Sequence, residues 1–209
     1  GGHSLKATSL VSRISKAFEI NVPLKKIFEH PTLESFAKVI ESFNRKEYRQ
    51  IEAVQKQELY DISNAQRRLW ILNQMEGSNL AYNMPFAFYL EGEFDEKAFQ
   101  AAYAYVIERH ESLRTVFVSD NGEPKQKILE NPDTSISIYD LRDREGPDEE
   151  VLRLVEKDIS TPFNLETGLL IRFTILKIRD AQYLLMFNMH HIISDGWSIN
   201  ILIEDLSNT

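Results

Sequence analysis

Apolar residues recur every three or four positions between residues 4 and 43. This spacing predicts an amphipathic helix that begins at Ser4, a short helical turn around Ile27 and a third helix capped by Thr32. Asn-Val-Pro at residues 21–23 and His-Pro at 30–31 interrupt the pattern between these helices. Residues 1–43 are therefore expected to contain a small all-helical unit.

Residues 44–58 are densely polar and carry no sustained apolar stripe. We interpret them as an interdomain linker. A solvated extension of the preceding helix is the alternative, because these residue types are good helix formers.

From residue 59 onward, alternating segments predict strands and helices. Strands are expected at residues 86–90, 115–118, 125–129, 169–178 and 183–190. The pair Asn121-Gly122 tolerates positive φ, which predicts a hairpin between the second and third of these strands. Asp95 is expected to cap a helix, with Phe94 and Phe99 forming a hydrophobic staple.

Two further helices are predicted, one from Asp148 and one beyond Gly196. The inward-facing residues of the first are expected to be Val151, Leu152, Val155 and Ile159.

Composition and charge narrow the functional classes. The 209 residues are 43% hydrophobic and carry a formal net charge of −8, so no global positive field favours nucleic acid. Cysteine is absent from the sequence, which excludes disulfides and thiolate chemistry. No apolar run approaches the roughly 20 residues that span a bilayer, so we expect no membrane partner and a cytoplasmic location. The opening Gly-Gly-His-Ser suggests a piece of a longer chain.

The segment Met-His-His-Ile-Ile-Ser-Asp-Gly-Trp-Ser at residues 189–198 offers the richest chemistry. Because successive strand residues point to opposite faces, His190 and His191 should divide into one functional and one supporting residue. Imidazole moves protons near neutral pH, and Asp195 could orient a ring or pair with an arginine. Two packed, hydrogen-bonded histidines are the alternative. No third ligand stands at zinc spacing, so no metal is expected.

The residues His-His-Ile-Ile-Ser-Asp-Gly resemble the HHxxxDG signature of condensation domains, which belong to the chloramphenicol acetyltransferase-like acyltransferases of nonribosomal peptide synthetases. Residues 63–72 (SNAQRRLWIL) and 109–117 (RHESLRTVF) match the same family in the same order, and residues 82–85 and 162–165 agree. The resemblance covers residues 59–209. It implies an α+β lobe, the first of two, with a mixed and largely antiparallel sheet, flanking helices and one wall of an interlobe tunnel.

The resemblance also implies roles for individual residues. His191 is the implied catalytic group, which removes or steers the proton of an attacking amine. Gly196 is implied to allow close approach of the substrate arm and to help stabilise an oxyanion, with His190 in support. Asp195 is implied to pair with Arg114, or alternatively with Arg68.

Residues 1–5, Gly-Gly-His-Ser-Leu, resemble the carrier-protein signature whose serine is esterified with 4'-phosphopantetheine. Ser4 is then the attachment site, at a helix N-terminus that favours a phosphodiester; the alternative is a plain helix cap. His3 is typical of carriers that feed a condensation domain directly, which leans toward an L-configured donor. Residues 1–43 would form part of a peptidyl carrier domain, since the helix preceding the signature is missing.

These resemblances imply a function: condensation of a carrier-bound aminoacyl or peptidyl thioester with a carrier-bound amino acid to form an amide bond. The implied partners are upstream and downstream carrier and adenylation domains and a phosphopantetheinyl transferase. The alternatives are a docking fragment without turnover, a related acyltransferase or epimerase lobe, and a plain structural α/β domain. The isolated chain is expected to be inactive.

Overall fold

The computed structural model describes residues 4–43, 54–75, 80–144 and 146–209. The chain divides into two compact units, Gly1–Lys56 and Gln57–Thr209. Most of the predicted linker, residues 44–53, lies outside the described residues, and residues 54–58 form neither helix nor strand.

The first unit contains the three predicted helices: α1 (Ser4–Phe18), α2 (Lys25–Glu29) and α3 (Leu33–Glu41). The Thr32 hydroxyl accepts a hydrogen bond from the Ser35 backbone N–H at 3.2 Å, which confirms the predicted cap. The buried apolar residues of this unit are Val11, Ile20, Val22 and Phe36.

The second unit alternates strands and helices, as predicted. Its helices are α4 (Asn64–Asn73), α5 (Glu96–Arg109), α6 (Pro147–Ser160) and α7 (Gly196–Asn208), with a 3₁₀ turn at Glu111–Arg114. Its strands are β1 (Tyr60–Asp61), β2 (Asn83–Glu91), β3 (Thr115–Asp120), β4 (Glu123–Ile128), β5 (Ser137–Asp140), β6 (Ile171–Arg179) and β7 (Gln182–His190).

The described strands form two sheets. One has the order β1-β4-β3 and is antiparallel, and the other has the order β2-β7-β6-β5. In the second sheet β5 runs parallel to β6, while β7 pairs antiparallel with both of its neighbours. Strand β7, which ends at His190, is therefore paired with a neighbouring strand on both edges.

Both faces of the larger sheet are covered, because alternate residues of β6 and β7 enter different cores. On one face, Phe173, Phe187 and Met189 pack in a cluster with residues of α5, α7 and β3. On the other face, Leu176, Leu184 and Met186 meet α6. Helix α7 therefore lies on the Met189 side of the sheet.

Local turn and cap chemistry agrees with the sequence. Asn121 and Gly122 have φ of 51° and 84°, and they join β3 to β4 as the predicted hairpin turn. The Asp95 carboxylate accepts hydrogen bonds from the first turn of α5, and the Phe94 and Phe99 rings lie 5.5 Å apart.

The inward face of α6 was partly mispredicted. Val151 is buried and Val155 packs against the core, but Leu152 and Ile159 are exposed, and Leu154 takes the inward position instead. The buried stripe follows the spacing i, i+3, i+4, and Leu152 stands one residue outside it. Within the described ranges, no helix is long and apolar enough to cross a membrane.

Candidate functional site

The loop at residues 191–195 joins the end of the central strand β7 to the start of α7. The His190 N–H donates to the Leu170 carbonyl at 2.9 Å, and the His191 N–H donates to the Tyr82 carbonyl at 2.8 Å. These two hydrogen bonds go to backbone carbonyls that lie on opposite edges of β7. The loop therefore leaves the sheet from a fixed backbone position.

His191 is exposed, and its ring is oriented by one hydrogen bond. Its Nδ1 lies 2.7 Å from the carbonyl oxygen of Ser194. A carbonyl oxygen accepts only, so Nδ1 carries the hydrogen in this contact. In the neutral ring the lone pair is then on Nε2, which suits this nitrogen to accept a proton or a hydrogen bond.

His190 is fully buried, in contrast to its neighbour. Its Nδ1 accepts a hydrogen bond from the Ile192 N–H at 3.1 Å, which leaves the ring hydrogen on Nε2. Burial, with a smaller contribution from the charge of His191, lowers the pKa of His190 to about 4. The ring is therefore neutral near pH 7. It packs near the rings of Tyr82 and Phe163, so His190 supports the loop from within the core.

Asp195 caps α7. Its Oδ1 accepts from the Trp197 N–H at 3.1 Å, the Ser198 N–H at 2.9 Å and the Ser198 hydroxyl at 2.8 Å. These hydrogen bonds, chiefly those from Ser198, lower the pKa of the Asp195 carboxyl, and the positive charge of His191 adds to the effect. The carboxylate therefore fixes the start of the helix.

The predicted pairing of Asp195 with Arg114 or Arg68 is not seen among the residues that the structure describes. The Arg114 Nη1 donates to the Leu129 carbonyl at 2.8 Å, and its Nη2 lies 3.7 Å from the Glu111 carboxylate. Among the described residues, neither arginine forms an ion pair with Asp195, whose carboxylate bonds its own helix instead. Arg114 closes the end of the β3–β4 hairpin.

Gly196 is the first residue of α7 and is exposed. Its φ lies outside the left-handed region, and a Cβ built there would meet no described atom within 4 Å. The backbone alone does not require glycine here. Its implied role beside a substrate stays a prediction.

An ion pair that sequence reasoning missed ties the Arg-His-Glu motif to α7. His110 Nε2 lies 2.6 Å from Asp205 Oδ2, and Arg109 Nε lies 3.7 Å from the same oxygen. His110 and Asp205 are 95 residues apart in sequence, so no local pattern could reveal their contact.

A pocket of about 220 Å³ lies between the 3₁₀ turn, the end of β7 and α7. We call it the α7 pocket. Its lining residues are His110, Ser112, Leu113, Met189, Ile193, Ser198, Ile201 and Leu202. Two sequence motifs that are far apart along the chain therefore meet at one cavity.

Ser4 is the first residue of the fifteen-residue helix α1, and the first turn of that helix contains no acidic residue. The partial positive charge of the helix N-terminus is therefore not offset locally, which suits a phosphodiester. Gly1, Gly2 and His3 lie outside the described residues.

The central strand β7 thus ends beside an exposed histidine whose ring is oriented, and a capped helix follows. The Condensation domain family matches residues 56–209, and the chain belongs to this family. The family described as Phosphopantetheine attachment site matches residues 1–40, so the cofactor inferred from the sequence is confirmed at the level of the domain.

Curated relatives match both parts together. The chain is 41% identical over 206 residues to gramicidin S synthase 2 of Brevibacillus brevis and 44% identical over 207 residues to bacitracin synthase 3 of Bacillus licheniformis. Each alignment covers 99% of this chain, but 4% and 3% of the relative. Tyrocidine synthase 3 of Brevibacillus parabrevis is 40% identical over 207 residues, with 99% of this chain and 3% of that protein covered. The predicted membership among nonribosomal peptide synthetases is confirmed.

Solved structures confirm the α+β acyltransferase-like fold. The starter condensation domain of rhizomide synthetase matches with a TM-score of 0.65 and 27% identity, over 71% of this chain and 36% of that one. The first condensation domain of the calcium-dependent antibiotic synthetase matches with a TM-score of 0.64 over 71% and 37%; at 21% identity, this likeness bears on the fold.

Proposed function

We propose that this chain acts within a larger synthetase to form an amide bond between two carrier-bound amino acids. The observation that carries the proposal is the His191 ring, which is exposed and tied through Nδ1 to Ser194, so that Nε2 is the proton-accepting nitrogen. Family membership supports the reaction class, and this geometry supports the choice of His191 as the residue that takes part.

In the proposed reaction, the acceptor amine attacks the carbonyl carbon of the donor thioester. The C–N bond forms, the C–S bond breaks, and the electron pair of that bond leaves with sulfur. His191 Nε2 accepts the proton that the amine loses, and this proton finally neutralises the thiolate. General base catalysis by a positioned group contributes typically 10²–10⁴-fold.

The start of α7 offers a second contribution. As the amine attacks, negative charge develops on the carbonyl oxygen. The Gly196 N–H lies at the first position of a thirteen-residue helix, whose next two N–H groups are bonded to the Asp195 carboxylate. A backbone N–H directed at the carbonyl oxygen would stabilise the charge that develops there. We assign Gly196 to this charge through its backbone N–H.

Ser4 is proposed to hold 4'-phosphopantetheine, whose bound arm supplies the thiol that carries an acyl group as a thioester. The N-terminus of α1, without acidic residues in its first turn, would hold the phosphodiester. The proposed partners are a phosphopantetheinyl transferase, which attaches this group, and the neighbouring carrier and adenylation domains. The proposed location is the cytoplasm.

The test of His191 uses the full-length synthetase that contains this segment, because the chain covers little of its relatives. His191→Ala and His191→Gln should both lower the single-turnover rate of amide formation at least a hundredfold. The glutamine variant can still hold a hydrogen bond but cannot take a proton. Asn200→Ala, an exposed change on the same helix, should leave the rate unchanged. Full activity of the alanine variant would overturn the proposal.

Ser4 is tested by mass spectrometry. A phosphopantetheinyl transferase and coenzyme A should add the mass of one phosphopantetheine to the protein and none to Ser4→Ala. Ser9→Ala, in the same helix, should still be modified. An unmodified wild-type protein that is folded by circular dichroism would contradict the assignment.

A further inference from the structure

A cluster of polar residues lies at the end of the larger sheet from which the loop at residues 191–195 leaves. We call it the Arg172 cluster, and its members are Asn83, Asp158, Thr161, Arg172 and Asn188. Three of them stand on β2, β6 and β7, one lies in the last turn of α6, and Thr161 follows that helix. The proposed reaction leaves all five residues unused.

The guanidinium of Arg172 contacts three groups at the end of α6. Its Nε donates to Asp158 Oδ1 at 2.7 Å, and its Nη2 donates to the carbonyls of Asp158 and Thr161, the latter at 2.8 Å. Its Cζ lies 4.3 Å from the centre of the Phe163 ring. An arginine beside a helix C-terminus satisfies the last carbonyls and complements the helix dipole. Arg172 therefore binds the end of α6 to β6.

The same acceptors receive hydrogen bonds from β7 and β2. Asn188 Nδ2 donates to Asp158 Oδ2 at 3.1 Å, and Asn83 Nδ2 donates to the Thr161 carbonyl at 3.3 Å. In the pairing of β2 with β7, Asn83 stands opposite His190. The Arg172 cluster therefore joins three neighbouring strands at one end of the sheet.

Two contacts lead from the Arg172 cluster to the loop. The Tyr82 carbonyl, next to Asn83 in the chain, accepts the hydrogen bond from the His191 N–H at 2.8 Å. The Phe163 ring, which the guanidinium covers, lies edge-on to the His190 ring with 6.4 Å between the ring centres. A shift of the cluster would therefore move the backbone that carries the His191 ring.

The burial of the ion pair favours a role in placement. The side chains of Asp158 and Arg172 are 10% and 25% exposed. Because both charges must be removed from water, such a pair is weak evidence for stabilisation. The planar fork of an arginine instead fixes the relative positions of several acceptors at once.

We propose that Arg172 is a positioning residue, which ties the end of α6 to three strand ends and so holds His191 in place for amide formation. This inference rests on the proposed function of His191. A misplacement of about 1 Å at a reacting centre can cost about a hundredfold in rate, so a distant residue can control the reaction through geometry alone.

Four variants of the full-length synthetase test the proposal. Arg172→Met removes the fork but leaves the Asp158 carboxylate without its cation. Arg172→Met is therefore also combined with Asp158→Asn, which restores the wild-type net charge. Arg172→Lys keeps the charge as a single point and cannot reproduce the fork. Arg179→Met is the matched control, because Arg179 lies at the far end of β6, is exposed and bonds Gln182.

The first measurement is the single-turnover rate of amide formation in the wild-type and His191→Gln backgrounds. In the wild-type background, both proteins with Arg172→Met should lose at least tenfold, Arg172→Lys should lose less, and Arg179→Met should not change. In the His191→Gln background, the same substitutions should change the rate by less than about twofold, because no reacting imidazole remains to be placed. A purely structural role would give the same loss in both backgrounds.

The second measurement does not depend on activity. Exchange of the His191 amide hydrogen with deuterium should become at least tenfold faster in both proteins with Arg172→Met. The amides that pair β3 with β4, in the other sheet, should keep their exchange rates, which shows that the lobe is still folded.

Three results would overturn the proposal: an unchanged rate in both proteins with Arg172→Met, an equal loss in both backgrounds, or unchanged exchange at His191. Failure of the proposed function is distinct, because His191→Gln would then form the amide at the wild-type rate. The exchange of the His191 amide would still show whether Arg172 holds the loop.

Discussion

His110 Nε2 and Asp205 Oδ2 lie 2.6 Å apart, and this contact joins the end of α5 to the last turns of α7. The hydrogen bond from His110 lowers the pKa of the Asp205 carboxyl, and the charge of Arg109 adds to the effect. At its other end, α7 is held by the Asp195 cap. The helix that follows the loop at residues 191–195 is therefore fixed at both ends.

Removing the charge of Asp205 should destabilise this arrangement. Asp205→Asn should lower the urea midpoint of unfolding at pH 7, and adding His110→Ala should cause little further loss because the two residues share one contact. The stabilisation is present above the ordinary carboxyl pKa of 3.8 and is lost as the pH falls through the lowered value. Glu204→Gln, on the same helix turn, is the control. Equal midpoints for the Asp205 and Glu204 variants would contradict the prediction.

His190 should make stability depend on pH. Its pKa falls from 6.5 to about 4 on folding, so the unfolded chain binds a proton that the native protein refuses between these values. The contribution of the neutral His190 ring to the free energy of unfolding is fully present above pH 6.5. It decreases as the pH falls to 4, by about 3 kcal/mol at about 1.4 kcal/mol per pH unit. Urea unfolding at pH 7 and 4.5 measures this change.

His190→Gln should flatten the pH dependence in that window, whereas His191→Gln, at the exposed neighbour, should preserve it. If the wild type and His190→Gln lose stability equally between pH 7 and 4.5, the buried ring is not the source.

Asp195 should act through its cap. Asp195→Ala should cost about 1 kcal/mol of unfolding free energy, while Asp195→Asn should keep most of the stability because asparagine caps helices about as well. Chemical denaturation of the three proteins at pH 7 decides the matter. An asparagine variant as unstable as the alanine variant would mean that the negative charge is required, as in a pair with an arginine.

Gly196 should separate stability from activity. Gly196→Ala meets no steric obstacle and replaces glycine at a helical position, so stability should rise by about 0.5–1 kcal/mol. Amide formation should fall at least tenfold if the substrate arm passes this backbone closely, since small displacements at a reacting centre are costly. Thermal unfolding and single-turnover rates are measured together. A full rate would show that the added methyl group does not meet the substrate.

Helix caps and tight turns were the features of the fold that the sequence could predict. The Asp95 cap, the Thr32 cap and the Asn121-Gly122 turn depend on residues within a few positions of one another, and all three are present. The parallel strand β5 was missed, because its pairing with β6 depends on distant chain and its sequence is short.

The candidate site shows the same difference between local features, which the sequence can predict, and contacts between distant residues, which it cannot. Motif resemblance pointed to the loop at residues 191–195, and the structure adds the ring orientation of His191 through Ser194. The Asp195 carboxylate bonds the nearest N–H groups at the start of its own helix, a local arrangement that the arginine pairing implied by the motif did not include. The contact between His110 and Asp205 required the fold itself.

The central position of β7 has a consequence for how this lobe can be altered. The backbone N–H groups of His190 and His191 donate hydrogen bonds to carbonyls on opposite edges of β7. Their amide hydrogens should therefore be among the slowest in the lobe to exchange with deuterium. The imidazole is then carried by the most rigid part of the scaffold. Substitutions on the outer surface of α7 should therefore leave the backbone position of His191 unchanged.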